Sequence, residues 1–156
     1  MSAIDVSRAK SPGLLRRLAV IIYDLLGLLA LLILASALVT IPHDIIVGEP
    51  LRTSPAFPVL FPIYLLAVIV GYYVYFWSGG RFSLGMRAWR MRLVTLAGEP
   101  LGPADALRRL VWGLVTLVPI GLLSMYLDPD RLSWQDRLSG TRAVIVSKPK
   151  GSRTSR

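Results

Sequence analysis

Apolar residues gather into two long runs and a third, broken one. The first, LAVIIYDLLGLLALLILASALVT at residues 18–40, contains a single formally charged residue, Asp24. A run of that length crosses a bilayer, whose hydrocarbon core is about 30 Å thick and takes roughly 20 apolar helical residues. The second run, Phe57 to Trp77, lies in a stretch without formal charge from Thr53 to Gly80. It ends in Tyr72, Tyr73, Tyr75, Phe76 and Trp77, where aromatic side chains form an interfacial belt. The third, Leu110 to Leu127, is interrupted by Gly113, Pro119 and Gly121.

The connections carry the remaining pattern. Ile41 to Ala56 holds Pro42, Pro50 and Pro55 and reads as a turn-rich loop containing His43, Asp44 and Glu49. Within residues 78–109, Met91 to Leu96 alternates weakly and runs into Ala97-Gly98-Glu99-Pro100, which predicts a short strand and turn. Pro103 suits the first turn of a new helix. Beyond the third segment, a polar loop from Ser133 to Gly140 leads to a second β-prone run, Ala143 to Ser147.

Composition agrees with a membrane protein: 54% of the 156 residues are hydrophobic and 17% are charged, against about 25% charged in soluble domains. The expected fold is an all-α membrane protein: a small bundle with two full transmembrane helices, a third Pro/Gly-broken segment, re-entrant or kinked, and a small cytoplasmic β pair. Residues 1–17 form a basic N-terminal segment, 18–147 the membrane domain and 148–156 a basic tail. The net charge of +9 is expected to meet anionic lipid headgroups rather than nucleic acid, since no recognition motif accompanies it. Ala35-Ser36-Ala37 resembles a signal cleavage site. The run before it is longer than the roughly 7 to 15 residues of a signal core and contains Asp24, so an uncleaved span is expected.

Charge in the connections sets a topological problem. Lys plus Arg number four before the first run, one between the first and second, six between the second and third, and seven after the third. Positive-inside reasoning puts the N-terminus, residues 78–109 and the tail in the cytoplasm, which three simple crossings cannot do. A break at Pro119-Ile120-Gly121 would give two pieces of about ten residues, each roughly 15 Å long, and return the chain to the side it left. A kinked full span with the tail outside is the alternative.

Four segments, RRLAVIIYD at 16–24, SLGMRAWRMRLVTLAGEPL at 83–101, ALRRL at 106–110 and WQDRLSGTRAVIV at 134–146, occur in the order found in one family. Together they resemble the RDD family of bacterial membrane proteins, named for one arginine and two aspartates. The resemblance covers about residues 12–147 and assigns the arginine to Arg17 or its neighbour Arg16, and the aspartates to Asp24 and Asp136. Two departures are Tyr23, where an aliphatic residue commonly precedes the aspartate, and the short third segment. The resemblance implies a multi-pass protein of the bacterial inner membrane and no single biochemical activity.

The expected functional polar network is Arg17, Asp24 and Asp136. An intramembrane carboxylate costs about 2.5 to 3.5 kcal/mol on insertion scales, so Asp24 is either functional or specifically paired. Arg17 and Asp24 share a helix face but are too far apart for an ion pair within it. Arg108, Arg109 and Arg137 are candidates to reach Asp24 from other elements, and Arg16 and Arg87 complete the supporting set. Asp136 is either a capping or turn carboxylate or one that folds back onto an arginine such as Arg17 or Arg87.

No enzyme is expected. The chain has no cysteine and one histidine, His43, which is expected in an extracytoplasmic loop away from Asp136. No metal or cofactor is expected either, since His43, Asp44 and Glu49 are too few ligands, and Gly79-Gly80 lacks the Lys-Ser/Thr of a phosphate loop. Two functions remain: movement or sensing of a cation or proton through Asp24, or a non-enzymatic accessory role. A homo-oligomer or larger membrane complex is expected: transport would need one because so short a chain cannot readily supply inverted repeats, and an accessory role is by definition part of one.

Overall fold

The computed structural model describes residues 10–116, 118–129 and 132–146, and the side chains of 118–120 are not among the described features. Residues 1–9 of the basic start and the tail at 148–156 lie outside the described residues. The order of elements is α1 (Leu14–Val47), α2 (Phe57–Trp77), α3 (Leu84–Ala88), β1 (Met91–Thr95), α4 (Pro103–Val115), α5 (Val118–Leu123), α6 (Trp134–Ser139) and β2 (Thr141–Ile145).

Helix α1 is longer than the apolar run predicts, beginning four residues earlier and continuing seven residues later. Its 34 residues extend roughly 51 Å at about 1.5 Å per residue. Pro42 does not end it, because a proline removes one backbone bond and the ladder resumes on either side. Gly48 does: at φ 77° it takes the left-handed conformation that terminates helices, and its N–H donates to the Asp44 carbonyl. His43 therefore lies near the end of α1, not in a loop.

Helix α2 runs antiparallel to α1, tied by the Tyr64 hydroxyl donating to the Ala35 carbonyl at 3.1 Å and the Tyr72 hydroxyl to the Asp24 carbonyl at 3.5 Å. These are two helices long and apolar enough to cross a membrane. Their apolar side chains point outward, with Leu34 65% and Leu60 62% exposed. Water would penalise that surface; lipid would not.

The layer beneath the two helices contains the packed core. Strands β1 and β2 pair antiparallel, from Met91 opposite Ile145 to Thr95 opposite Thr141. Met91, Leu93 and Ala143 pack with Val20, Met86 and Leu101, and Trp77 closes against them. The chain before α1 joins this sheet: the Ile145 N–H donates to the Lys10 carbonyl at 3.0 Å and Arg142 donates to the Ser11 hydroxyl.

The third apolar segment breaks earlier than its sequence predicts. Helix α4 ends at Val115 and α5 starts at Val118. Pro119 falls in the first turn of α5, where a missing N–H is tolerated, so the interruption precedes it. Gly121 stays helical and packs close to Thr116, since a Cβ there would lie 2.9 Å from the Thr116 hydroxyl oxygen. The pieces are unequal, at 13 and 6 residues, and α4 starts well before Leu110. As expected, Pro103 stands in the first turn of α4.

Helix α3 lies so close to α1 that a Cβ on Gly85 would come within 2.3 Å of the Val20 carbonyl oxygen. Backbone opposes it on that side, so no rotamer change relieves the clash. Gly85→Ala is expected to lower stability by about 1–3 kcal/mol through overpacking, read as a lower melting temperature in detergent. Unchanged melting would show that α3 can lift without cost.

Candidate functional site

One face of α1 turns inward, carrying Arg17, Val20, Asp24, Leu28 and Ala35. Spacings of three, four, four and seven keep these positions in one stripe. The stripe contains two of the three residues of the expected network, and each meets a different part of the layer below.

Arg17 is 3% exposed and reaches Asp136. Its Nη1 lies 2.6 Å from Asp136 Oδ2 and 3.4 Å from the Ser133 hydroxyl, while its Nε donates to the Pro12 carbonyl at 3.3 Å. Arg109, from the buried face of α4, brings Nη1 to 2.7 Å from the other carboxylate oxygen, Asp136 Oδ1. The same nitrogen donates to the Thr141 hydroxyl at the start of β2. The Arg109 guanidinium also sits 5.9 Å from the centre of the Trp77 ring.

Asp136 is fully buried and serves two purposes. The Ser133 N–H donates to its Oδ2 at 3.2 Å and the Asp136 N–H donates to the Ser133 hydroxyl at 3.2 Å, a reciprocal cap that starts α6. The two readings of Asp136, helix cap and arginine partner, are thus true together. Burial by itself would raise its pKa, but Arg109 and Arg17 outweigh burial and hold the carboxyl below its ordinary value of 3.8. Two guanidiniums around one carboxylate leave the cluster with one net positive charge.

Asp24 stands apart from this cluster. Its Oδ2 accepts from the Ser83 hydroxyl at 2.7 Å and its Oδ1 from the Gly85 N–H at 2.8 Å. The Ser83 hydroxyl in turn accepts from the Met86 N–H at 3.2 Å. Asp24 therefore finishes the cap of α3 from a neighbouring helix. Among the described residues no arginine forms an ion pair with it, which corrects the expectation of a partner among Arg108, Arg109 and Arg137. Arg109 is engaged with Asp136 and Thr141, Arg137 pairs with Asp128, and Arg108 is exposed.

The structure thus brings together Arg17, Arg109 and Asp136, and leaves Asp24 in a second site about two helical turns further along α1. Arg87 is exposed and Arg16 half-buried, and neither is bonded to the cluster among the described contacts. Residues that sequence reasoning passed over are Ser83, Gly85, Ser133 and Thr141. The spacing Ser133-x-x-Asp136 is a capping-box signature and was the legible signal for α6; nothing local marks Thr141.

A cavity of about 570 Å³ lies against α1, α2 and the layer, with Arg17, Asp24, Trp77 and Arg109 in its wall. Among the described residues no group of three or more His, Asp or Glu could hold a metal ion.

A helical protein with two apolar helices turned outward and a polar layer fastened under them by buried Arg and Asp is, as a class, a membrane protein. A sequence model of the RDD family matches residues 11–140, and the chain belongs to that family. No curated protein and no solved structure matches the chain.

Removing the two carboxylates should have unequal effects. Asp136→Asn leaves two buried guanidiniums short of their counter-charge and is expected to cost about 3–5 kcal/mol. Asp24→Asn keeps one acceptor while turning an amide toward donors, and is expected to cost about 1–3 kcal/mol. Melting of the detergent-solubilised variants tests this, and the opposite order would refute it.

The Asp136 carboxyl has its folded pKa below the unfolded value of 3.8. Its stabilisation is therefore complete above the unfolded value and lost as pH falls through the folded one. Melting should be insensitive to this group down to about pH 5 and fall in stronger acid. Asp136→Asn should flatten that acid limb; an identical limb in both proteins would refute the assignment.

Proposed function

We propose that this RDD-family protein is a non-enzymatic accessory subunit of a larger complex in the bacterial inner membrane. The observation behind this reading is that the carboxylates are used internally. Both oxygens of Asp24 are held by Ser83 and Gly85, and those of Asp136 by Arg17, Arg109 and Ser133. Groups so engaged act as fasteners of a layer to a membrane helix. The outward apolar faces of α1 and α2 remain for lipid, a second copy or a partner protein.

In this reading the sheet layer is cytoplasmic and the third segment is re-entrant. Supporting it, β1 and β2 flank α4 and α5 in sequence yet pair with each other, so the chain comes back to the sheet it left. Lys10 bonds to the same sheet, which favours a cytoplasmic N-terminus, in keeping with the arginine-rich loop. A reporter fused beyond residue 156 should be active only in the cytoplasm. Activity confined to the periplasm would refute the re-entrant path.

One observation favours a second reading, movement or sensing of a cation or proton: Asp24 forms part of the cavity wall. Vesicles containing the purified protein under a pH or sodium gradient separate the two. The accessory role predicts no flux in wild type or Asp24→Asn, together with stable co-purification of one partner. Flux abolished by Asp24→Asn would overturn it in favour of transport, and flux that survives the substitution would remove Asp24 as the carrier.

A further inference from the structure

The cavity has a chemistry that neither reading uses. Its volume of about 570 Å³ falls within the roughly 300–1,000 Å³ of small-molecule sites. Along α1 it extends from Arg17 to Leu28, eleven residues or about 16 Å, with α2 passing from Trp77 to Leu66 alongside. Most of that length is aliphatic or aromatic. Polar character gathers at the Arg17 end, where Arg109 and Gln135 also enter the wall.

Two donors at that end are unused. Among the described residues Arg17 Nη2 and Trp77 Nε1 have no hydrogen-bond partner and are closed to water; both residues line the cavity, so a small side-chain rotation would present either donor to it. An unmet buried donor costs about 1–3 kcal/mol. Guanidinium and indole nitrogens only donate, so what satisfies them must accept. The adjoining Arg17, Arg109 and Asp136 carry one net positive charge, so the favoured acceptor is anionic. Asp24 also lines the wall, but its oxygens are bonded to Ser83 and Gly85 and it lies two helical turns beyond Arg17.

Polarity is therefore ordered along the membrane helix, with a cationic, donor-rich end at the start of α1 and an apolar remainder within the span. An anionic phospholipid has the same order, phosphate at the interface and acyl chain below it. We infer that this cavity is a lipid site: one acyl chain lies along Leu28 and Leu66, and the phosphate accepts from Arg17 Nη2 and Trp77 Nε1. The inference rests on the membrane assignment and is independent of whether the protein is an accessory subunit or a carrier.

The test uses the full-length protein, delipidated in neutral detergent. Melting is followed while dioleoyl-phosphatidylglycerol, dioleoyl-phosphatidylcholine or oleate is added, and native mass spectrometry counts bound lipid. Phosphatidylglycerol should raise the melting temperature more than phosphatidylcholine, with one lipid held per chain. Val70→Trp, which narrows the cavity between Leu66 and Trp77 on α2, should weaken phosphatidylglycerol binding about tenfold or more. Trp77→Phe removes one donor to the phosphate and should weaken phosphatidylglycerol binding by about tenfold, the worth of one charge-assisted bond. Equal stabilisation by the two phospholipids would overturn the inference, as would stabilisation by oleate alone. Undiminished phosphatidylglycerol binding in Val70→Trp, or in Trp77→Phe should the first variant not fold, would overturn it too.

Discussion

The carboxylate of Asp136, divided between Arg17 and Arg109, is the interaction on which the remaining architecture depends. It joins the start of α1, the buried face of α4 and the first turn of α6, and through Arg109 and Thr141 it reaches the end of the sheet. Charges this deeply buried are poor sources of net stability, because removing them from water costs several kcal/mol per ion. Their value lies in discrimination: any arrangement that separates the three leaves a buried charge without its counter-ion. A single fully enclosed carboxylate thus selects one packing of four elements.

Such a device suits a chain whose helices gain little from each other. Lipid is as apolar as a leucine side chain, so α1 and α2 have no hydrophobic force driving them together, and few of their residues are buried. What holds the molecule is concentrated under them, in the small apolar core around Val20, Met86 and Leu93 and in two polar fastenings along one stripe of α1. The fastenings differ in kind. Arg17 makes an ion pair with a distant element. Asp24 receives donors from the start of α3, at a point where Gly85 lets backbone meet backbone.

The sequence made the membrane helices, the β pair and the identities of Arg17, Asp24 and Asp136 legible, since each depends on local pattern or on motif order. It misjudged what depends on contacts. Arg17 and Asp24 share a face, as their spacing requires, yet they do not share a network. Ser83 and Gly85, sixty positions away, occupy Asp24 first, and no local signal announces that. Helix α1 outlasts Pro42 because its stop is the left-handed Gly48 rather than the first proline. The break in the third segment moves ahead of Pro119 because proline is well suited to beginning a helix. Helix α6 was the one omission that could have been read, from a serine three residues before an aspartate.

The partnership of Arg17 with Asp136 spans 119 positions, and that separation has a consequence for biosynthesis. At about 5–20 residues per second, roughly 6 to 24 s pass between the making of the arginine and the making of its counter-ion. Until then Arg17, and Arg109 once it has been made, keep their guanidiniums hydrated or against lipid phosphates, since neither can be buried alone. Closure of the layer is accordingly a late, single event. A nascent chain halted between residues 109 and 136 displays two unmatched cations at the membrane surface, a chemical mark of incompleteness that the finished protein conceals.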